Sequence, residues 1–165
     1  MSKMKNLEDL FHHQLKDLYS AEEQLIEALP KTAEKATDKD LKKALNDHLK
    51  ETKEQKKRLE QIGKELGIEL SGEKCKAMAG LIKETEDFLK EDTSDEVKDA
   101  GIIAECQRIE HYEISGYGTA KQYAESLGED NVAELLGVTL EEESDANEKL
   151  NDLAVERINS SAVEA

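Results

Sequence analysis

The sequence predicts an all-α fold, a bundle of four long helices with a short fifth helix in the connection between the second and third. Three observations predict it. The 165 residues hold one proline and no tryptophan and are rich in Ala, Leu, Glu and Lys, so helix formers dominate and strand formers are scarce. Apolar residues recur every three or four positions, the spacing of one helix face. That pattern stops and restarts at places marked by glycine or by Ser, Thr, Asn and Asp, the residues that end and cap helices.

Leu7, Phe11, Leu15, Leu18, Leu25 and Leu29 define a first helix over about residues 6–36. Pro30 removes a backbone donor and crowds the carbonyl four residues back, so a kink near Ile26, or an early end with one further turn, is expected. Thr37 with Asp40 resembles a weak capping box, and Leu41, Leu45, Leu59, Ile62 and Leu66 carry a second helix to Gly67. Residues 68–94 form a mixed stretch with Ser71-Gly72 and a short helix over about 77–89, long enough to cross the bundle. Thr93 with Glu96 caps a third helix through Ile102, Cys106, Ile109, Ala120, Tyr123 and Leu127 to Gly128. Asn131 with Glu134 opens a fourth, carrying Val132, Leu135, Leu136, Leu140, Leu150 and Leu153, before a small polar tail from about residue 159 that is expected to fray. The whole reads as one domain over 1–165, with helical hairpins at about 6–66 and 96–158.

Acidic side chains number 39 against 23 basic ones, a formal charge of −16. Repulsion then opposes binding to nucleic acid or to anionic membranes, whereas cations and basic partners are favoured. No stretch approaches the roughly 18 apolar residues of a membrane span, and no apolar signal core follows the basic start from Met1 to Lys5, so a cytoplasmic location is expected. Cys75 and Cys106 form no Cys-x-x-Cys unit, which argues for reduced thiols.

Sliding the chain against itself by 91 residues pairs Leu15 with Cys106, Leu18 with Ile109, Leu45 with Leu136, Leu59 with Leu150 and Ile62 with Leu153, so the two hairpins share one pattern. The same offset pairs Glu22 with Glu113 and Glu51 with Glu142, glutamates that interrupt the apolar stripes. At about 1.5 Å per residue all four fall roughly 20–24 Å from the helical turns, near one level of the bundle. Converging buried carboxylates repel unless protonated or bridged by cations, and no lysine or arginine is expected on these faces. Hard divalent cations are the natural partners, as in di-metal bundles with inward glutamates from all four helices. His48, three residues before Glu51, shares its face. Glu22, His48 and Glu51 are read as ligands of one ion, and Glu110, Glu113 and Glu142 of the other, with Glu143 the alternative to Glu142. Bland readings stand beside this one: the glutamates reach solvent at boundary positions, and His48 simply packs. Tyr19, one turn before Glu22, is a candidate proton or electron donor above the site or a packed ring, and Gly116 and Gly118 imply close helix approach or a local bulge.

The runs Leu18-Tyr19-Ser20-Ala21-Glu22, His48-Leu49-Lys50-Glu51-Thr52, Ile109-Glu110-His111-Tyr112-Glu113-Ile114 and Thr139-Leu140-Glu141-Glu142-Glu143 resemble the bacterial YciF/YciE stress-associated proteins of the ferritin-like superfamily over nearly the whole chain. The resemblance implies a ferritin-like four-helix bundle with a fifth helix in the crossover, a homodimer, a di-metal centre and a part in stress responses. The general ferritin-like pattern has Glu-x-x-His on both ligand-pair helices. Here His48 precedes Glu51 and Gln55 follows it, while Asp145 and Ala146 follow Glu142 and Glu143. A carboxylate-rich centre of this kind suits two divalent ions, iron or manganese, with magnesium or calcium as alternatives. Two functions are compatible: a di-metal centre that reacts with oxygen or peroxide, and a non-enzymatic stress protein whose buried carboxylates bind redox-inert cations or persist without catalysis. Net charge alone adds a third, a module for a basic partner.

Overall fold

In the computed structural model, residues 4–165 are described; Met1 to Lys3, the beginning of the basic N-terminal stretch, lie outside the described residues. The helices are α1 (Leu7–Lys35), α2 (Lys39–Leu66), α3 (Lys76–Phe88), α4 (Asp95–Leu127) and α5 (Asp130–Leu153), followed by a π-helical turn (Ala154–Ile158) and α6 (Asn159–Glu164). α1 pairs with α2 and α4 with α5, and the hairpins join through α1 against α4 and α2 against α5. The crossover helix α3 lies against α1 and α4.

Local chemistry sets most boundaries. Asn6 caps α1 by accepting from the Asp9 amide at 2.8 Å. Gly67 and Gly128 adopt left-handed backbone at φ 67° and 78°, with Ile68 donating to Gly63 O and Glu129 to Ala124 O, the Schellman pattern expected at both sites. Three caps differ from expectation. Asp38, not Thr37, accepts from the amides of Asp40 and Leu41, because Thr37 is turned to Asp99. Ser94, not Thr93, caps α4. α5 begins at Asp130 with no side-chain cap, so the Asn131–Glu134 spacing forms no capping box.

α1 does not end at Pro30 but continues to Lys35, because Thr32, Ala33 and Ala36 are buried and their packing outweighs the lost backbone bond. The C-terminal tail is helical where fraying was expected, and α6 runs beside α4 although none of its residues is buried. Gly116 does mark a close approach, since a Cβ there would stand 2.8 Å from Leu18 Cδ2; Gly118 has open space around it. No bulge follows Glu113 in α4; the π-helical turn lies at the end of α5 instead.

Polar contacts fasten the connections. Asp99 of α4 accepts from the Thr37 amide, the Thr37 hydroxyl and the Asp38 amide at 2.6–2.8 Å, which ties the α1–α2 turn to the start of α4. The crossover is held at Cys75: its amide donates to Ser20 Oγ, its carbonyl accepts from Gln24, and its sulfur contacts Tyr112 and Asp17. Cys75 and Cys106 are free and buried.

The apolar interior falls into two clusters. One contains Leu25, Leu29, Leu45, Cys106, Ile109 and Leu150; the other contains Phe11, Leu15, Leu18, Leu59, Ile62 and Leu136. Along each helix the buried polar residues Glu22, Thr52, Glu113 and Glu143 fall between these two sets. The bundle therefore has a polar layer at mid-length, sealed by hydrocarbon above and below.

Candidate metal centre

The layer follows from heptad arithmetic. On α2, Leu45, Thr52 and Leu59 are seven residues apart and all buried; on α5, Leu136, Glu143 and Leu150 are spaced alike and all buried. Glu51 and Glu142 lie one residue, about 100°, off these stripes. Glu22 of α1 and Glu113 of α4 face inward as the internal repeat predicts and are fully buried. The inward partner of the second pair is therefore Thr52 with Glu143, not Glu51 with Glu142.

Four groups, His48, Glu110, Glu113 and Glu143, each place a donor atom within 4.8 Å of the others. His48 Nε2 stands 3.3 Å from Glu110 Oε1 and 3.9 Å from Glu143 Oε2. Glu22 lies against the same group, its Oε1 accepting a short hydrogen bond from the Tyr117 hydroxyl, and Gln55 Nε2 donates a short hydrogen bond to Glu143 Oε1. The division of ligands thus differs from the sequence reading: His48 groups with Glu110 and Glu113 instead of with Glu22. Glu51 has 47% of its side chain exposed and sits 3.5 Å from His48 Nδ1, on the solvent side of the ring. Glu142 lies outside the cluster and is held by Arg58, whose two terminal nitrogens each reach it at 3.0 Å. The basic residue not expected near these faces is this arginine, which α2 supplies one turn beyond Gln55.

The electrostatics show what the layer lacks. Burial, followed by the charge of Glu143, holds the carboxyls of Glu22, Glu110 and Glu113 well above their ordinary range. Burial also pushes the Tyr117 hydroxyl up, with Glu22 adding to it. For His48 burial opposes charging, but Glu51 and Glu143 outweigh it and its pKa is raised. Several buried atoms have no hydrogen-bond partner: Glu22 Oε2, both His48 nitrogens, Gln55 Oε1, Glu110 Oε2, both oxygens of Glu113, and Glu143 Oε2. Buried polar atoms are normally paired, so this concentration at one level sets the layer apart from the rest of the interior. The donor set is oxygen-rich with one imidazole, which suits hard or borderline divalent cations.

Sequence reasoning missed Tyr117 as a site residue, whereas for Tyr19 the packed-ring reading holds. Tyr117 is four residues after Glu113 and fully buried on the same face, a spacing that was available. Tyr19 rests its ring on the edge of the second apolar cluster and donates to Glu60 at 3.2 Å, with the Lys56 ammonium 5.1 Å from the ring centre.

A family model described as "Domain of unknown function (DUF892)" matches residues 6–163. The chain belongs to this family. Within DUF892 it is a YciF-type protein, 44% identical over 160 residues to Protein YciF of Escherichia coli strain K12, with 96% of each chain covered. The crystal structure of the E. coli stress protein YciF superposes with a TM-score of 0.91 at 44% identity, covering 94% of this chain and 99% of that one. YcfI of Rhodopseudomonas palustris, described as a candidate structural protein, gives 0.88 at 46% identity, covering 91% and 96%. A Xanthomonas campestris protein at 21% identity and a TM-score of 0.75 shares the fold. Among the described residues, no helix is long and apolar enough to cross a membrane.

Proposed function

We propose that this DUF892 protein is a di-metal carboxylate protein of the bacterial stress response, whose centre holds two iron or manganese ions and reacts with oxygen or peroxide. The observation that carries the reading is the set of unpartnered, fully buried donor atoms on Glu22, His48, Gln55, Glu110, Glu113 and Glu143. His48, Glu110, Glu113 and Glu143 would hold one ion. Glu22 Oε2 and Gln55 Oε1, sharing Glu113 and Glu143 with the first site, would hold the other. Bound there, the ions would supply the redox chemistry toward oxygen or peroxide. The protein's own residues do the rest. Tyr117 fixes Glu22 by its hydrogen bond and keeps a phenolic proton beside the layer. Gln55 orients Glu143, and the apolar clusters keep bulk water out. The stress-protein description of the E. coli relative supports the cellular setting. A homodimer belongs to the same proposal, and sedimentation analysis tests it.

Metal analysis of tag-free protein tests the centre. About two iron or manganese ions per chain are expected in the parent and none in a Glu113→Gln/Glu143→Gln double variant. No bound metal, even after anaerobic addition of Fe(II) or Mn(II), refutes the reading. One observation favours a second one: burial and mutual repulsion already hold three of the carboxyls toward their neutral forms, so protons can take the place of cations in a non-enzymatic stress protein. Absence of peroxide turnover by metal-loaded protein would favour it.

A further inference from the structure

Between α2 and α5, on the side away from the crossover helix, lies a cleft of about 190 Å³. His48 and Glu110 form its inner wall, and Asp47, Glu51, Glu142 and Asp145 stand around it. Two alanines, Ala44 from α2 and Ala146 from α5, also line it. Ala146 is three residues after Glu143, the position at which di-metal bundles carry the histidine of a Glu-x-x-His unit. In this chain a methyl group stands there, and the volume an imidazole would fill is open.

We propose that this cleft is the port through which divalent cations reach the centre, and that Glu51 is the pick-up ligand at its mouth. The proposal rests on the di-metal reading given above. His48 is 5% exposed, Glu110 is 2% exposed, and both ring nitrogens of the first and Oε2 of the second have no hydrogen-bond partner, so the inner wall presents free donors to the cleft. Glu51 stands at the other side of the same imidazole, 3.5 Å from Nδ1, with half its side chain in solvent. A half-exposed carboxylate outside, an imidazole in the wall and a buried carboxylate behind it form a graded series of ligands along one path. Each step exchanges some water for a protein ligand, so a strongly hydrated ion need not lose its whole shell at once.

The charge on the rim has the matching sign. Asp47 is engaged by Lys43 and Lys50, and Glu142 by Arg58, which leaves Glu51 and Asp145 to face Lys149, the basic residue among those lining the cleft. The residual negative potential concentrates cations at the mouth and repels anions. Along the bundle axis the alternative routes run through the apolar clusters, where a hydrated ion finds no ligand.

Stopped-flow uptake of Co(II) and Mn(II) by the metal-free chain, with the bound count from equilibrium dialysis, tests this. Ala146→Leu fills the cleft at a half-exposed helix position and is expected to slow loading about tenfold or more without changing the number of ions bound. Ala146→Ser leaves the space open and loads at the parent's rate. Glu51→Ala slows loading severalfold, and the parent's rate falls as salt is raised from about 0.05 to 0.5 M, where screening removes the attraction. Loading of Ala146→Leu and Glu51→Ala at the parent's rate would overturn the port and leave the di-metal reading standing. A parent that takes up no cation at equilibrium would overturn both.

Discussion

Replacing Glu113 by glutamine is expected to stabilise the metal-free protein at neutral pH while abolishing its response to metal. Glu113 is fully buried, neither of its oxygens has a partner, and its carboxyl is held well above the ordinary value of 4.5 by burial, then by Glu143 and Glu22. A raised carboxyl pKa means the folded chain keeps a proton that the unfolded chain releases. The stability linked to that proton is complete below about pH 4.5 and is lost as pH rises toward the folded value, at about 1.4 kcal/mol per pH unit. The cost of that proton uptake is therefore larger at pH 7.5 than at pH 5. Glutamine has nearly the same shape and no proton to take up, but it brings an amide that lacks partners, which costs about 1–3 kcal/mol. The variant is therefore expected to gain on the parent as pH rises, each 1 kcal/mol of gain raising its Tm by about 2–4 °C for a chain of this size. At pH 5, close to the ordinary carboxylate range, the protonation cost is small and the unpaired amide outweighs it, so the variant melts at or below the parent. Thermal melting by circular dichroism in EDTA at pH 5 and pH 7.5 measures both. Added Mn(II) should raise the parent's Tm at pH 7.5 and leave the variant's unchanged. A variant destabilised equally at both pH values would refute the argument, because it would mean that no proton is bound to Glu113 on folding.

Three further outcomes follow from the geometry. Glu143→Gln should lose bound metal while Glu142→Gln keeps the parent's count, since Glu142 is engaged with Arg58 at the edge; the Glu142 change should cost no more than about 1 kcal/mol in urea unfolding. Asp99→Ala removes the acceptor of three hydrogen bonds and strands the amides of Thr37 and Asp38, so denaturant unfolding should show a loss of about 2–4 kcal/mol. Gly101→Ala would place its Cβ 1.9 Å from Phe88 Cζ, and the overpacking, about 1–3 kcal/mol, should exceed the gain of about 1 kcal/mol in helix propensity. In a Phe88→Ala background the same change should turn neutral or stabilising, and a double-mutant cycle reads the reversal.

The architecture was legible because long helices announce themselves through period and terminal glycines: Gly67 and Gly128 each act where the pattern placed them. The inward glutamates Glu22 and Glu113 were legible for the same reason, through a repeat shared by both hairpins. The one-residue offset at Glu51, and at Glu142 with Glu143 as its stated alternative, has a plain cause. Runs such as Glu141-Glu142-Glu143 offer adjacent carboxylates, and pairing by offset preserves the repeat whichever residue is chosen. Only the heptads Leu45–Thr52–Leu59 and Leu136–Glu143–Leu150 decide the face, and they require a threonine to be read as an inward residue. The span of about 6–36 held, and the early end that Pro30 offered is not taken: a local penalty of a few kcal/mol is set against burial of Thr32, Ala33 and Ala36, which the local sequence does not reveal. The partnership of Asp99 with Thr37 joins residues 62 apart and has no local signature.

The π-helical turn at the end of α5 separates the length of the chain from the phase of its face. In α-helix a step of four residues advances about 40° beyond a full turn, whereas in a π turn, with roughly 4.4 residues per turn, it falls about 30° short. Leu150 to Ala154 is an α step and Ala154 to Ile158 a π step, so the drifts nearly cancel and all three residues point into the core. The same arrangement brings Arg157 onto Asp38 and Asp40 at the α1–α2 turn. The widened turn thus keeps Ile158 in the core stripe and holds Arg157 against the α1–α2 turn within one stretch of five residues.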